Sequence, residues 1–179
     1  MKSGTVFWIT GLSGAGKSTL AKELQYSLLN KGAPSIVLDG DELREVFSKN
    51  STSQNHFSRE MRLQLAMQYS KLACLLSSQG FNVIVATISM FKEVYVCNRN
   101  SISNYIEIFI DTPMNILRDR DSKGIYQKQL NGELLGVAGV DLSIDVPPNP
   151  DIKIIFQSNY QNSISVSEIL SLWELRNED

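Results

Sequence analysis

Gly11-Leu12-Ser13-Gly14-Ala15-Gly16-Lys17-Ser18-Thr19 is the stretch from which the rest of this chain is read. It fits G-x-x-x-x-G-K-[ST], a loop whose backbone N–H groups crowd around phosphate oxygens. In that pattern Gly11, Ser13, Gly14, Ala15, Gly16 and Thr19 belong to the nucleotide-binding loop, Lys17 reaches the β- and γ-phosphates, and the Ser18 hydroxyl ligates Mg²⁺. Both flanks agree. Thr5-Val6-Phe7-Trp8-Ile9-Thr10 is an apolar, β-prone run ending at the loop, and residues 19–29 carry apolar side chains at helical spacing. The helix adds free N–H groups and partial positive charge where phosphate would sit. A glycine-rich turn that merely precedes a lysine would need neither flank.

The alternation continues along the chain. Strands are expected at 5–10, 35–39, 81–87, 105–110 and 152–156, and helices at 17–31, 41–48, 58–79, 91–102, 113–120 and 164–176. Continuous apolar strands spaced by helices imply a mainly parallel five-stranded sheet covered on both faces, an α/β fold of the P-loop NTPase type in three α/β/α layers. Ligands of such sheets gather at the carboxyl ends of the strands. No repeat or linker interrupts the pattern, so residues 1–179 read as one domain. Two segments lack regular pattern, Lys49–Phe57 and Asp121–Pro150. The second, with its charges, glycines and three prolines, reads as a lid over about 121–150.

Composition narrows the partners. Seventeen basic against nineteen acidic residues give no polyanion-binding signature, so nucleic acid is not expected. Cys74 and Cys97 fit no metal spacing and read as reduced thiols, and His56 stands alone, so no zinc site or histidine triad can be assembled. Met1 leads directly into the first strand without a basic, long-apolar leader, and no apolar run approaches the ~18 residues of a membrane span. A cytoplasmic protein without a membrane partner is expected.

The second strand ends in Asp39-Gly40-Asp41, with Arg44 one turn on. Carboxylates there would face the γ-phosphate, able to accept a hydroxyl proton or hold a Mg²⁺-bound water. Alternatively, Asp39 merely ends the strand and Asp41 caps the next helix. The third strand runs into Ala86-Thr87-Ile88-Ser89 without an acid, which throws weight onto the Asp39/Asp41 pair. Asn30-Lys31-Gly32-Ala33 fails the N-K-x-D pattern of a GTPase at its fourth position. Around the lid, Arg118, Arg120, Lys123 and Lys128 concentrate positive charge that could stabilise a transferring phosphoryl group while water is excluded.

Taken together, the loop at 11–19, Leu-Asp-Gly-Asp-x-x-Arg at 38–44, Phe57-Ser58-x-x-x-Arg62, Ile88-Ser89, Arg120-Asp121-x-Lys123-Gly124-x-Tyr126-x-Lys128, Gly132-Glu133 and Pro147-x-x-Pro150-Asp151 resemble adenylylsulfate (APS) kinase. The similarity runs from about residue 5 to 156. It implies transfer of the ATP γ-phosphoryl group to the 3′-hydroxyl of a small nucleotide acceptor. By resemblance Lys17 and Ser18 hold ATP·Mg²⁺, Asp39 and Asp41 flank the 3′-hydroxyl, and Lys123 reaches the phosphates from the lid. Arg44 and Arg62 grip the acceptor's phosphate-sulfate, Phe57 stacks on its base, Ile88 and Ser89 lie beside it, and Arg120 lies near the ATP adenine. A homodimer is the assembly this family suggests.

Departures from the family pattern cluster on the acceptor side. An asparagine and an arginine that help hold APS are replaced by Leu65 and Met67, and Ile-Ser-Pro-aromatic reads Ile88-Ser89-Met90-Phe91. The lid's Phe-Thr-Gly, whose aromatic covers the second face of the adenine, reads Val137-Ala138-Gly139, and Leu130 stands where an arginine is usual. One branch of APS-kinase-like enzymes phosphorylates cytidine diphosphoramidate in making capsule phosphoramidate groups, and its smaller base would tolerate these changes. A metabolite kinase of the shikimate or gluconate type would share the loop and lid but not Asp-Gly-Asp-x-x-Arg with Lys-Gly-x-Tyr. An inactive ATP-gated module would not be expected to keep Asp41 and Lys123.

Overall fold

A computed structural model describes residues 2–47, 58–156 and 162–177. Five strands, β1 (Val6–Thr10), β2 (Ser35–Asp39), β3 (Asn82–Thr87), β4 (Tyr105–Asp111) and β5 (Ile152–Ile155), form one sheet in the order β2-β3-β1-β4-β5. Every pairing is parallel. Parallel neighbours cannot be joined by tight turns, so helices carry the chain back. These are α1 (Lys17–Asn30), α2 (Gly40–Phe47), α3 (Arg59–Ser78), α4 (Lys92–Ser101), α5 (Met114–Arg120), α6 (Ile125–Leu130) and α7 (Asn162–Asn177).

Alternation along the strands builds two cores. Phe7, Ile9, Ile84, Ile106 and Ile108 pack with Leu20, Leu24 and Leu28 of α1 and Ile169 of α7. Val6, Trp8, Val83, Val85 and Tyr105 face the other way, onto Ala66, Tyr69 and Ala73 of α3 and Val94 of α4. Both faces of β1 are therefore dry, which is why Val-Phe-Trp-Ile-Thr shows no polar alternation. This is the three-layer P-loop architecture expected.

One element was not legible. The segment 121–150, read as irregular, contains α6. Asp121 starts that helix, its carboxylate accepting the backbone N–H groups of Tyr126 (3.1 Å) and Gln127 (2.9 Å). Six residues are too few for helical periodicity to register against the surrounding loop. Lys49–Phe57, including Phe57 and His56, lies outside the described residues. Among the described residues no helix is long and apolar enough to cross a membrane.

Candidate active site

The sheet register places Thr10, Asp39 and Thr87 together at the carboxyl ends of β1, β2 and β3. The Thr10 hydroxyl donates to the Ile88 carbonyl and ties the loop after β1 to the loop after β3. Gly16 precedes α1 with φ of 100°, a left-handed conformation that a side chain disfavours. Nothing lies within 4 Å of where its Cβ would stand, so the demand is on the backbone and not on space. Gly11 packs against Ile110 and Ala15 is buried, shaping the loop from beneath, while Ser13, Gly14, Gly16, Lys17, Ser18 and Thr19 line the cleft. Lys17 Nζ donates to the Leu12 carbonyl at 2.8 Å. Burial lowers the Lys17 pKa to about 8, with Lys123 adding to the drop against the opposing pull of Asp41 and Asp39.

The two carboxylates divide the work. Asp39 Oδ2 accepts the Ser18 hydroxyl at 2.6 Å, and its Oδ1 accepts the backbone N–H of Asp41 at 2.9 Å. The cap of α2 is therefore Asp39. The Asp41 carboxylate is left to meet Lys123 Nζ and the Arg44 guanidinium, the latter at 3.3 Å. Burial by itself would raise the Asp41 pKa, but the hydrogen bond and charge of Lys123, then Arg44 and Lys17, outweigh it and hold the carboxyl below its usual range. Gly40 makes the juxtaposition possible. A Cβ there would come within 2.9 Å of Thr87 Oγ1 and 3.2 Å of the Ala86 carbonyl, so only glycine lets the β2–α2 turn lie against the end of β3. Where β3 lacks an acid, the Thr87 and Ser89 hydroxyls bond each other at 2.8 Å.

The segment after α5 explains its own motif. Lys123 sits in the turn between α5 and α6, and the Tyr126 hydroxyl donates to the Ser13 carbonyl at 2.9 Å, docking α6 on the phosphate loop. Lys-Gly-x-Tyr is thus a cation, a turn and an anchor. Arg120 reaches toward the Gly14 carbonyl (3.5 Å) and covers the Phe156 ring at 4.3 Å. Farther along this segment, the Gly136 carbonyl accepts from Arg62 of α3 at 2.7 Å. Asp141 gathers the N–H groups of Gly136 and Val137.

These elements enclose a cleft of about 540 Å³. Among its described lining residues, Lys17, Arg44, Arg62, Arg120 and Lys123 face two carboxylates, Asp39 and Asp41, an excess of positive charge suited to a polyanion. A second pocket of about 260 Å³ opens beside it and shares Arg44, Arg62, Thr87 and Ile88. Ser89 lines this pocket, 8% exposed, with φ of 25°, a rare conformation outside glycine. The other walls are largely apolar, including Leu65, Met90, Phe91 and Leu142. Of the acceptor-side departures, Leu65 lines the second pocket and Val137 the main cleft, whereas Met67 packs into the core and Leu130 is exposed. Tyr69 also lines the second pocket and was not singled out from the sequence. The spacing of Arg62, Leu65 and Tyr69, one stripe of a helix, is the signal that could have found it.

Comparison with known proteins agrees with this fold. Residues 3–155 match the family model described as adenylylsulphate kinase. The chain is 40% identical over 159 residues to a cytidine diphosphoramidate kinase of Campylobacter jejuni, covering 89% of each protein. It is 37% identical over 150 residues to an adenylyl-sulfate kinase of Microcystis aeruginosa, covering 84% of this chain and 81% of that one. An APS kinase of Mycobacterium tuberculosis, solved in complex with AMPPNP and APS, matches with a TM-score of 0.86 at 33% identity over 97% of this chain and 99% of that one.

Proposed function

The chain belongs to the adenylylsulphate kinase family, and on that footing we propose that it transfers the γ-phosphoryl group of ATP to the ribose 3′-hydroxyl of an activated nucleotide, with cytidine diphosphoramidate as acceptor. The observation that carries the reaction type is the place of Asp41. It lines the cation-rich cleft beside the second pocket and carries Lys123 and Arg44 on its carboxylate.

Lys17 and the N–H groups of the phosphate loop hold the β- and γ-phosphates. Ser18 and Asp39 present hard oxygens 2.6 Å apart, which fits Mg²⁺, an ion that proteins hold by one or two side chains and otherwise through substrate phosphates. Bound there with ATP, Mg²⁺ would neutralise charge on the β- and γ-oxygens. Asp41 takes the proton of the 3′-hydroxyl as that oxygen bonds to the γ-phosphorus and the bond to the β,γ-bridging oxygen breaks, leaving ADP. Lys123 balances charge on the transferring group from the lid, Arg44 and Arg62 hold the acceptor's anionic tail, and Arg120 lies toward the ATP base.

Leu65 and Val137 favour the cytidine compound. An aromatic missing from one face of a base forfeits about 1–3 kcal/mol of stacking, and a pyrimidine has less surface to lose. Adenylylsulfate is the second reading, supported by the remainder of the motif set. ADP release with the two acceptors in parallel, and NMR of the product, tests both. Turnover on cytidine diphosphoramidate with new phosphate at the 3′-position is expected. Turnover on adenylylsulfate alone would exchange the acceptors, and none on either would reject the function.

Val137→Phe probes the missing face directly. Val137 is 5% exposed and already packed in the core, so the larger ring should cost about 1–3 kcal/mol and lower the melting temperature. Part of the ring must project into the cleft that Val137 lines, and the KM for adenylylsulfate should fall about threefold to tenfold. An unchanged KM would show that the acceptor base lies elsewhere.

A further inference from the structure

We propose that the Tyr69 hydroxyl contacts the terminal group of the acceptor's 5′ tail and so helps determine which activated nucleotide is accepted. The inference rests on the nucleotide-kinase reading. Tyr69 is 3% exposed, and its buried hydroxyl has no hydrogen-bond partner among the described residues. Buried hydroxyls almost always have one, so an orphan at a pocket wall marks a place where a ligand supplies it. The ring packs against Phe47 in a tilted pair, with centroids 5.9 Å apart.

The pocket orders the acceptor. Arg44 and Arg62 line both the cleft and the second pocket, so they stand where the two meet. With the 3′-hydroxyl at Asp41 and the tail's anionic oxygens at the two guanidiniums, what extends into the second pocket is the group the tail carries at its end. There the walls offer Leu65, Met90, Phe91 and Leu142, and the Thr87 and Ser89 hydroxyls are already engaged with each other. Tyr69 is the buried hydroxyl still open. It can accept from an N–H, as a phosphoramidate terminus would offer, or donate to an oxygen. Burial pushes its pKa up to about 12, so the proton stays on across the working range.

Tyr69→Phe deletes the hydroxyl alone. Because that hydroxyl has no partner among the described residues, the melting temperature should hold or rise. The KM for whichever activated nucleotide turns over should rise about tenfold, while the KM for ATP stays put. As a control, the inhibition constant of the matching 5′-monophosphate, which lacks the terminal group, should not move. An equal loss for the monophosphate would place the hydroxyl on the nucleoside and overturn the tail assignment. An unmoved acceptor KM in the variant, with the wild type active, would overturn the inference alone. A wild type that phosphorylates neither activated nucleotide would remove the kinase reading and this inference with it.

Discussion

Lys17→Ala should abolish phosphoryl transfer, lowering kcat by at least about 10³-fold. Lys17 stands at the first turn of α1, and among the described lining residues of the cleft, where five cations face two carboxylates, it alone among the cations belongs to the phosphate loop. On the proposed reading, its removal leaves charge developing on the γ-phosphoryl group without the cation of the phosphate loop. The same residue sets a pH dependence. Burial first, and then Lys123, lower its pKa to about 8, so the free enzyme loses this charge as pH rises through about 8. The kcat/KM for ATP, which reports the free enzyme, should fall over that range. Bound phosphates favour the ammonium, so kcat should persist to higher pH. Steady-state kinetics of the variant and a pH profile of the wild type check both statements. Near-normal turnover in Lys17→Ala would reject the assignment of the loop.

Asp41→Asn should lower kcat by about 10²–10⁴-fold and leave ATP affinity within a few-fold of wild type. The substitution keeps shape but removes the carboxylate that meets Lys123 and Arg44. Because Asp39 caps α2, the fold has little to lose, and the melting temperature should change little. Lys123 freed from its ion pair can still reach phosphate, which is why ATP binding should survive. Calorimetric titration with a non-hydrolysable ATP analogue, beside single-turnover rates, separates binding from chemistry. An unchanged rate would leave Asp41 a charge partner of the lid and nothing more.

The strands were legible because burial on both faces writes itself as continuous apolar runs, as in Val6–Thr10 and Asn82–Thr87. The phosphate loop was legible because its chemistry is local: nine consecutive residues carry the backbone turns, the cation and the hydroxyl. Asp39 and Asp41 were legible as a pair but not as individuals, since strand end, helix cap and catalytic carboxylate all select the same residue type. Tyr69 was not legible, because a tyrosine on an apolar helix face reads as core until the pocket that it lines is seen. The helix α6 was hidden by its length.

The sequence by itself determined the order of the strands and of the helices other than α6, the phosphate loop and the identity of most cleft residues, since each depends on neighbours within a few positions. Only the tertiary structure decided which carboxylate caps and which meets Lys123, and where Arg62 and Tyr69 meet at the second pocket. Lys123 and Asp41 lie 82 positions apart, and their meeting depends on Tyr126 docking on Ser13 and on Gly40 lying flat against Thr87. Local spacing carries no record of such a distance, because it is set by how α6 docks on the phosphate loop at the end of the sheet.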